Sequence, residues 1–230
     1  RTGCHHQWCR TMNATRSLSA GRGGATRNEL KRAARRLFAE RGIAATGMRE
    51  IVEAAGQRNA AAVHYYFGGK DDLLRELLID GADLIDVARQ ALIDEAEANG
   101  VPDLRAIVRA MVISNVDIVG EGGENETYFR FMINVQNERR QLFTETMPEH
   151  SEGYARYIAH VRRLLADVPE ALMRQRILYA GLALGSLMTA REAALDASDS
   201  GYHPYWSGQP AIEGMIDAVE AILTGPATRA

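Results

Sequence analysis

From Leu30 onward the apolar positions recur at intervals of three and four, and no stretch alternates as a half-buried strand would, so the chain reads as all-α. Leu30, Ala33, Ala34, Leu37 and Phe38 form one stripe and predict a helix over residues 27–41. Met48, Ile51, Val52 and Ala55 form a second, with Thr46 offering an N-cap oxygen and Gly56 ending it. A third short helix, capped by Asn59, turns Val63, Tyr66 and Phe67 inward. Two short helices joined by a turn have the shape of a helix-turn-helix. Ala61, Ala62, His64 and Tyr65, with Arg58 and Asn59 at the entrance, fall on the outward face, which is the candidate DNA-reading surface.

A much longer stripe follows. Leu73, Leu74, Leu77, Leu78, Leu84, Ile85, Ala88, Ala91 and Leu92 predict one helix over about residues 70–97. At ~1.5 Å per residue it is roughly 40 Å long, enough to link a DNA-binding head to a separate body. Asp71 and Asp72 suit the positive end of its dipole and Lys70 does not, so a phosphate partner is expected for Lys70. Further helices are expected over 103–119, 125–140, 149–166, 170–195 and 211–223. Pro102, Pro148 and Pro169 stand at helix starts, Gly120, Gly122 and Gly123 mark a flexible loop, and residues 198–210 form a Gly, Pro and aromatic connection.

Charge sharpens this division. Through residue 70 there are 13 Lys and Arg against 4 acids, net +9, whereas the remainder carries 14 against 26, net −12, for a total of −3. A basic segment on an acidic body is expected when one part neutralises nucleic acid and the other does something else. No apolar run reaches membrane-spanning length; the longest, residues 177–188, contains Gly181 and Gly185. No signal-peptide pattern is present and the only cysteines are Cys4 and Cys9, so a cytoplasmic protein is expected. Residues 1–25 are polar and read as a disordered extension, whose Arg16 and Arg22, with Arg27, are suited to a basic arm in the minor groove. Cys4, His5, His6 and Cys9 lack a second ligand pair at a defined spacing, so no metal is expected there.

Phe38, Gly42, Thr46, Ile51, Ala55 and Gly56, followed by Tyr65-Tyr66-Phe67-Gly68-Gly69-Lys70 and Leu73-Leu74, resemble the DNA-binding domain of the TetR family of transcriptional repressors over roughly residues 27–75. The resemblance implies a three-helix helix-turn-helix head over residues 26–72, joined by the long helix to a helical effector-binding and dimerisation body over residues 73–225. Between Gly56 and Phe67 this chain runs one residue longer than the common family pattern. The candidate DNA contacts are Thr46, Arg49, Arg58, Asn59, Ala61, Ala62, His64, Tyr65 and Lys70.

In the last two helices Leu178, Gly181, Leu182, Gly185 and Met188 join Ile212, Met215, Ile216 and Val219 as more apolar surface than one body readily covers. Glycines 181 and 185 would let two backbones approach, and the resemblance implies a four-helix dimer interface at these residues. Inside the body, Met111, Asn115, Phe129, Met132, Ile133, Gln136, Tyr157 and Tyr179 combine thioethers, aromatics and amides as a small-molecule pocket would.

No nucleophile elbow, phosphate loop or metal spacing occurs, and His150, His160 and His203 are isolated, so neither catalysis nor a cofactor is expected. The expected function is a ligand-responsive regulator, a repressor that binds palindromic operator DNA as a homodimer and is released by a small-molecule effector. The alternative is an all-helical enzyme or scaffold whose basic face adheres to nucleic acid without reading sequence.

Overall fold

The computed structural model describes residues 22–58, 62–118, 127–147 and 152–226. The described residues form ten helices and no strand: α1 (Arg22–Arg41), α2 (Met48–Ala54), α3 (Ala62–Phe67), α4 (Lys70–Ala98), α5 (Leu104–Val116), α6 (Tyr128–Glu138), α7 (Arg140–Thr146), α8 (Glu152–Leu164), α9 (Glu170–Asp196) and α10 (Gly208–Thr224). The expected all-α class is the observed one.

Most boundaries follow the apolar stripes, and the departures have local causes. Helix α1 begins at Arg22, so residues 22–25, read with the disordered segment, are helical; the expectations for residues 1–21, including Cys4, His5, His6 and Cys9, lie outside the described residues. Helix α5 is capped by the Asp103 carboxylate, which accepts from the Ala106 amide at 2.8 Å, rather than being opened by Pro102. Helix α7 has no counterpart among the expected helices. The polar run from Asn137 to Gln141 hides its start, and its buried residues are Leu142 and Thr146, with Phe143 partly buried against the core.

The amino-terminal helices pack as a small unit. Leu30, Ala34, Leu37 and Phe38 of α1, Ile51 and Val52 of α2, Val63 and Phe67 of α3, and Leu73, Leu74 and Leu77 of α4 are all buried. Removing large apolar side chains of this kind from water supplies roughly 1.5–3 kcal/mol each. The core continues into the body: α1 packs against α6 as well as α2, and Phe38 stacks on Phe131 with ring centroids 6.1 Å apart.

Three polar contacts fix the body helices. Tyr128 is fully buried and donates its hydroxyl to the Leu78 carbonyl at 3.0 Å. Its ring fits because residue 81 is glycine; a Cβ there would stand 2.0 Å from the ring. Asp86 of α4 accepts the Gly153 amide on both oxygens, at 2.9 and 3.0 Å, and so satisfies an orphan donor at the start of α8. Glu192 of α9 does the same for α6, accepting from Phe129 and Arg130 at 2.8 Å each. Burial pushes its carboxyl up to about 7, against those amides and Arg130.

Helices α9 and α10 pack on each other, α10 covers α5, and α9 covers α6. Met188, Met215, Ile216 and Val219, expected at a dimer interface, are instead buried inside the protomer at 3% exposure or less. Gly185 also points inward, its missing Cβ 3.9 Å from Ile133. Ile212 is half-buried against the core. The outward face carries Leu178, Tyr179 and Leu182, each at least half exposed, around an open Gly181. No described helix is long and apolar enough to cross a membrane.

Candidate nucleic-acid interface

Helix α2 starts at Gly47, not Thr46. Extended Gly47 is the N-cap, and the Glu50 carboxylate reaches back to its amide at 2.7 Å, the reciprocal half of a capping box. Thr46 is buried, and its hydroxyl donates to the carbonyls of Gly42 at 2.9 Å and Leu37 at 3.3 Å. It ties the end of α1 to the start of α2 and presents nothing to a ligand. Gly56 ends α2 with φ +68°, a left-handed conformation that glycine adopts without a Cβ penalty.

Helix α3 divides as its periodicity requires. Val63 and Phe67 are buried and Tyr66 is half-buried against the core, while Tyr65 is 82% exposed and His64 is exposed. The outward pair is held in place: His64 Nδ1 lies 2.6 Å from the Gly68 carbonyl, and Tyr65 meets Tyr66 edge-on with centroids 5.0 Å apart. Arg49 on α2 and Arg58 before α3 are exposed. Asn59 and Ala61, the Ala62 side chain, and with them the extra residue of the connection, lie outside what is described.

Lys70 occupies another role than the one expected. Its ammonium donates to the carbonyls of Ile43 at 2.5 Å and Thr46 at 2.7 Å and sits 5.6 Å from the centroid of Phe38. Burial holds it below its ordinary range, with Arg139 acting in the same direction. The unfavourable cation at a helix N-terminus is thus explained by carbonyl oxygens of the α1–α2 turn, with no phosphate required. Two further cations are likewise paired within the protein: Arg27 pairs with Glu76 and lies over Phe67, and Lys31 pairs with Glu76 and Asp80. Arg27, read as part of a groove-entering arm, therefore anchors α1 to α4.

Two body residues that the sequence did not single out reach the same turn. Glu138 of α6 accepts the amides of Ile43 at 2.9 Å and Ala44 at 2.8 Å, and Asn134 donates to the carbonyls of Phe38 at 2.8 Å and Ala39 at 3.3 Å. Polar residues four apart on a helix give no signal that separates them from a solvated face.

The candidate effector residues are divided between two regions. Met111 and Asn115 on α5 and Tyr157 on α8 are buried where those helices pack together. Phe129, Met132, Ile133 and Gln136 belong to α6, which packs on α1 and α9. Asn115 directs its amide to the Met111 carbonyl at 2.5 Å, and burial raises the Tyr157 phenol well above its ordinary range. Tyr179 does not belong with them: it is 51% exposed on the outer face of α9, accepting from Gln175 at 3.0 Å. A solvent-open depression of about 340 Å³ at the α8–α9 turn, lined by Arg162, Val168, Pro169 and Met173 among others, includes none of these side chains.

Helices α2 and α3, with tyrosine, histidine and arginine on their outward face and a long helix leading into an all-helical body, have the arrangement of a helix-turn-helix. Residues 30–77 match the family described as bacterial regulatory proteins, tetR family. The match lies within the amino-terminal helix-turn-helix segment, from α1 into the start of α4. Two solved structures are similar over most of their lengths. The fatty acid degradation regulator FadR from Bacillus halodurans is 18% identical, with a TM-score of 0.50 over 88% of this chain and 97% of that one. The TetR family transcriptional regulator PfmR from Thermus thermophilus is 18% identical, with a TM-score of 0.49 over 86% and 99%. At this identity the first likeness speaks to the fold alone. No curated protein sequence matches the chain.

Proposed function

We propose that the chain acts as a homodimeric repressor that binds a palindromic operator and leaves it when a small molecule enters the body, working in the cytoplasm with the DNA it controls. The observation that carries the reading is the division of α3: the same short helix buries Val63 and Phe67 and presents Tyr65 and His64, with Arg49 and Arg58 exposed on the neighbouring segments. The tyrosine and histidine contact bases and sugars, while the arginines supply the phosphate contacts that position the helix.

The dimer is supported by the outer face of α9 and α10, where Leu178, Leu182 and Tyr179 surround Gly181, and Gly214, Ala218 and Ala221 are exposed on the neighbouring helix. Small residues on both helices allow the close approach that a four-helix interface needs. Effector binding between the body helices then favours a separation of the two reading helices that departs from the roughly 34–36 Å between successive major grooves, and operator affinity falls. The head at residues 26–72 and the body at residues 73–225 are the two working parts.

Selection of bound sequences from random DNA, followed by footprinting, tests the reading. A protected region with two-fold symmetry is expected. Binding that grows with DNA length and ignores sequence overturns it. Sedimentation of wild type and Leu178→Arg tests the interface; a dimer and a monomer, respectively, are expected, and an unaltered dimer in the variant refutes the assigned face.

A further inference from the structure

We propose that Asn134 and Glu138, two residues of the body, are positioning residues for the DNA-binding head and set the separation of the two reading helices. The proposal rests on the dimeric reading above and deepens it.

The contact is specific in its chemistry. The last carbonyls of a helix lack a full set of partners within it; at the end of α1 the Gly42 amide donates to the Phe38 carbonyl at 3.1 Å. Asn134 donates to two carbonyls of the last turn of α1, adding a second donor to Phe38 and one to Ala39. Glu138, one helical turn further along the same face of α6, places one oxygen on the Ile43 amide and the other on the Ala44 amide. A carboxylate is disfavoured at the negative end of a helix dipole, so it is the two amides just past the end that hold it there. Gly42 has φ +86°, and a Cβ on it would stand 2.7 Å from the Glu138 oxygen; glycine supplies both the turn and the room. Ile43 is held from two sides, its amide by Glu138 and its carbonyl by Lys70.

The other end of α6 is held as well. Glu192 of α9 accepts the Phe129 and Arg130 amides in the first turn. Helix α6 is therefore fastened to α9, which carries the proposed dimer face, and to the turn between α1 and α2, which carries the head. Helix α4 holds the same turn through Lys70, on the Ile43 and Thr46 carbonyls, and meets α1 through the pairs of Arg27 and Lys31 with Glu76 and Asp80, of which Arg27 is 39% exposed. Ion pairs on long, partly exposed side chains hold geometry weakly. A bidentate carboxylate on two consecutive backbone amides has little freedom. Loosening it should leave each head folded and able to bind a half-site but free its orientation. One base pair of spacing is only ~3.4 Å.

The test compares wild type, Glu138→Ala and Glu138→Gln in two measurements. One is hydrogen exchange at the Ile43 and Ala44 amides. The other is affinity for a single half-site, for the selected palindrome, and for the same palindrome with one base pair added to or removed from its spacer. Glu138→Ala should speed exchange at both amides, keep half-site affinity, and reduce the preference for the native spacer by roughly tenfold. Glu138→Gln, which retains one acceptor oxygen, should fall between. If Glu138→Ala does not fold, Asn134→Ala is judged by half-site affinity and spacer preference, since Asn134 binds carbonyls and not the two amides. An undiminished spacer preference with palindrome binding intact overturns the positioning role, as does unchanged exchange in Glu138→Ala. A wild type without a two-fold footprint overturns the dimeric reading instead, and is seen before any variant is made.

Discussion

Replacing Lys70 by alanine removes an ammonium that bonds the Ile43 and Thr46 carbonyls and lies against Phe38. A hydrogen bond to a charged group contributes roughly 1.5–3 kcal/mol, and a half-buried site admits water to the abandoned carbonyls, which lowers the cost of losing each. Two such bonds and the ring contact together give an expected loss of about 2–4 kcal/mol, a substantial share of a domain's stability. Urea denaturation measures that loss. Binding to the selected operator across roughly 50–200 mM salt measures the second quantity, the number of phosphate contacts, each of which contributes about 0.9 to the slope. Lys70→Ala should destabilise the fold and leave the slope unchanged, whereas Arg58→Ala should leave stability within about 0.5 kcal/mol and lower the slope by about 0.9. A Lys70→Ala protein of unchanged stability with a reduced slope would refute the assignment of Lys70 to the turn and return it to the phosphate backbone.

Three further outcomes are expected. Tyr65→Ala should weaken operator binding with little effect on thermal stability, and Phe67→Ala should cost on the order of 3–5 kcal/mol; an unfolded Tyr65→Ala head would show that α3 is turned by a residue. Gly81→Ala, although alanine favours helix by about 1 kcal/mol, should destabilise in a urea titration because its Cβ meets the Tyr128 ring at 2.0 Å; an unchanged or higher midpoint would show that the ring yields. Glu192 has its folded carboxyl raised from 4.5 to about 7, so the native state holds the proton more tightly, and stability present below about 4.5 is lost as pH rises through about 7. That loss is at most about 3–4 kcal/mol; denaturation from pH 4 to 8 should show a shallower decline in Glu192→Gln, and identical pH profiles would contradict the buried, protonatable carboxylate.

The alternation of apolar and polar positions determined by itself that this chain is helical, where its long helices run, and that α3 turns Val63 and Phe67 in and Tyr65 out. Those features depend on neighbours three and four residues away, which a sequence displays directly. The helix-turn-helix was legible for the same reason, since α2, Gly56, α3 and the aromatic closure are contiguous. Longer-range decisions were not. Which half of an apolar helix meets its own core is set by partners distant in the chain, so Met188, Met215, Ile216 and Val219 could be seen as apolar but not as internal, and Tyr179 could not be placed on the outside. Lys70 looked like a phosphate ligand because its dipole position was unfavourable, and only the folded turn reveals the Ile43 and Thr46 carbonyls that compensate it. Asn134 and Glu138 carried no signal at all. They are about 95 residues from the atoms they bind, and a polar side chain acquires a specific role only when tertiary structure brings an unsatisfied backbone group within hydrogen-bonding reach of it.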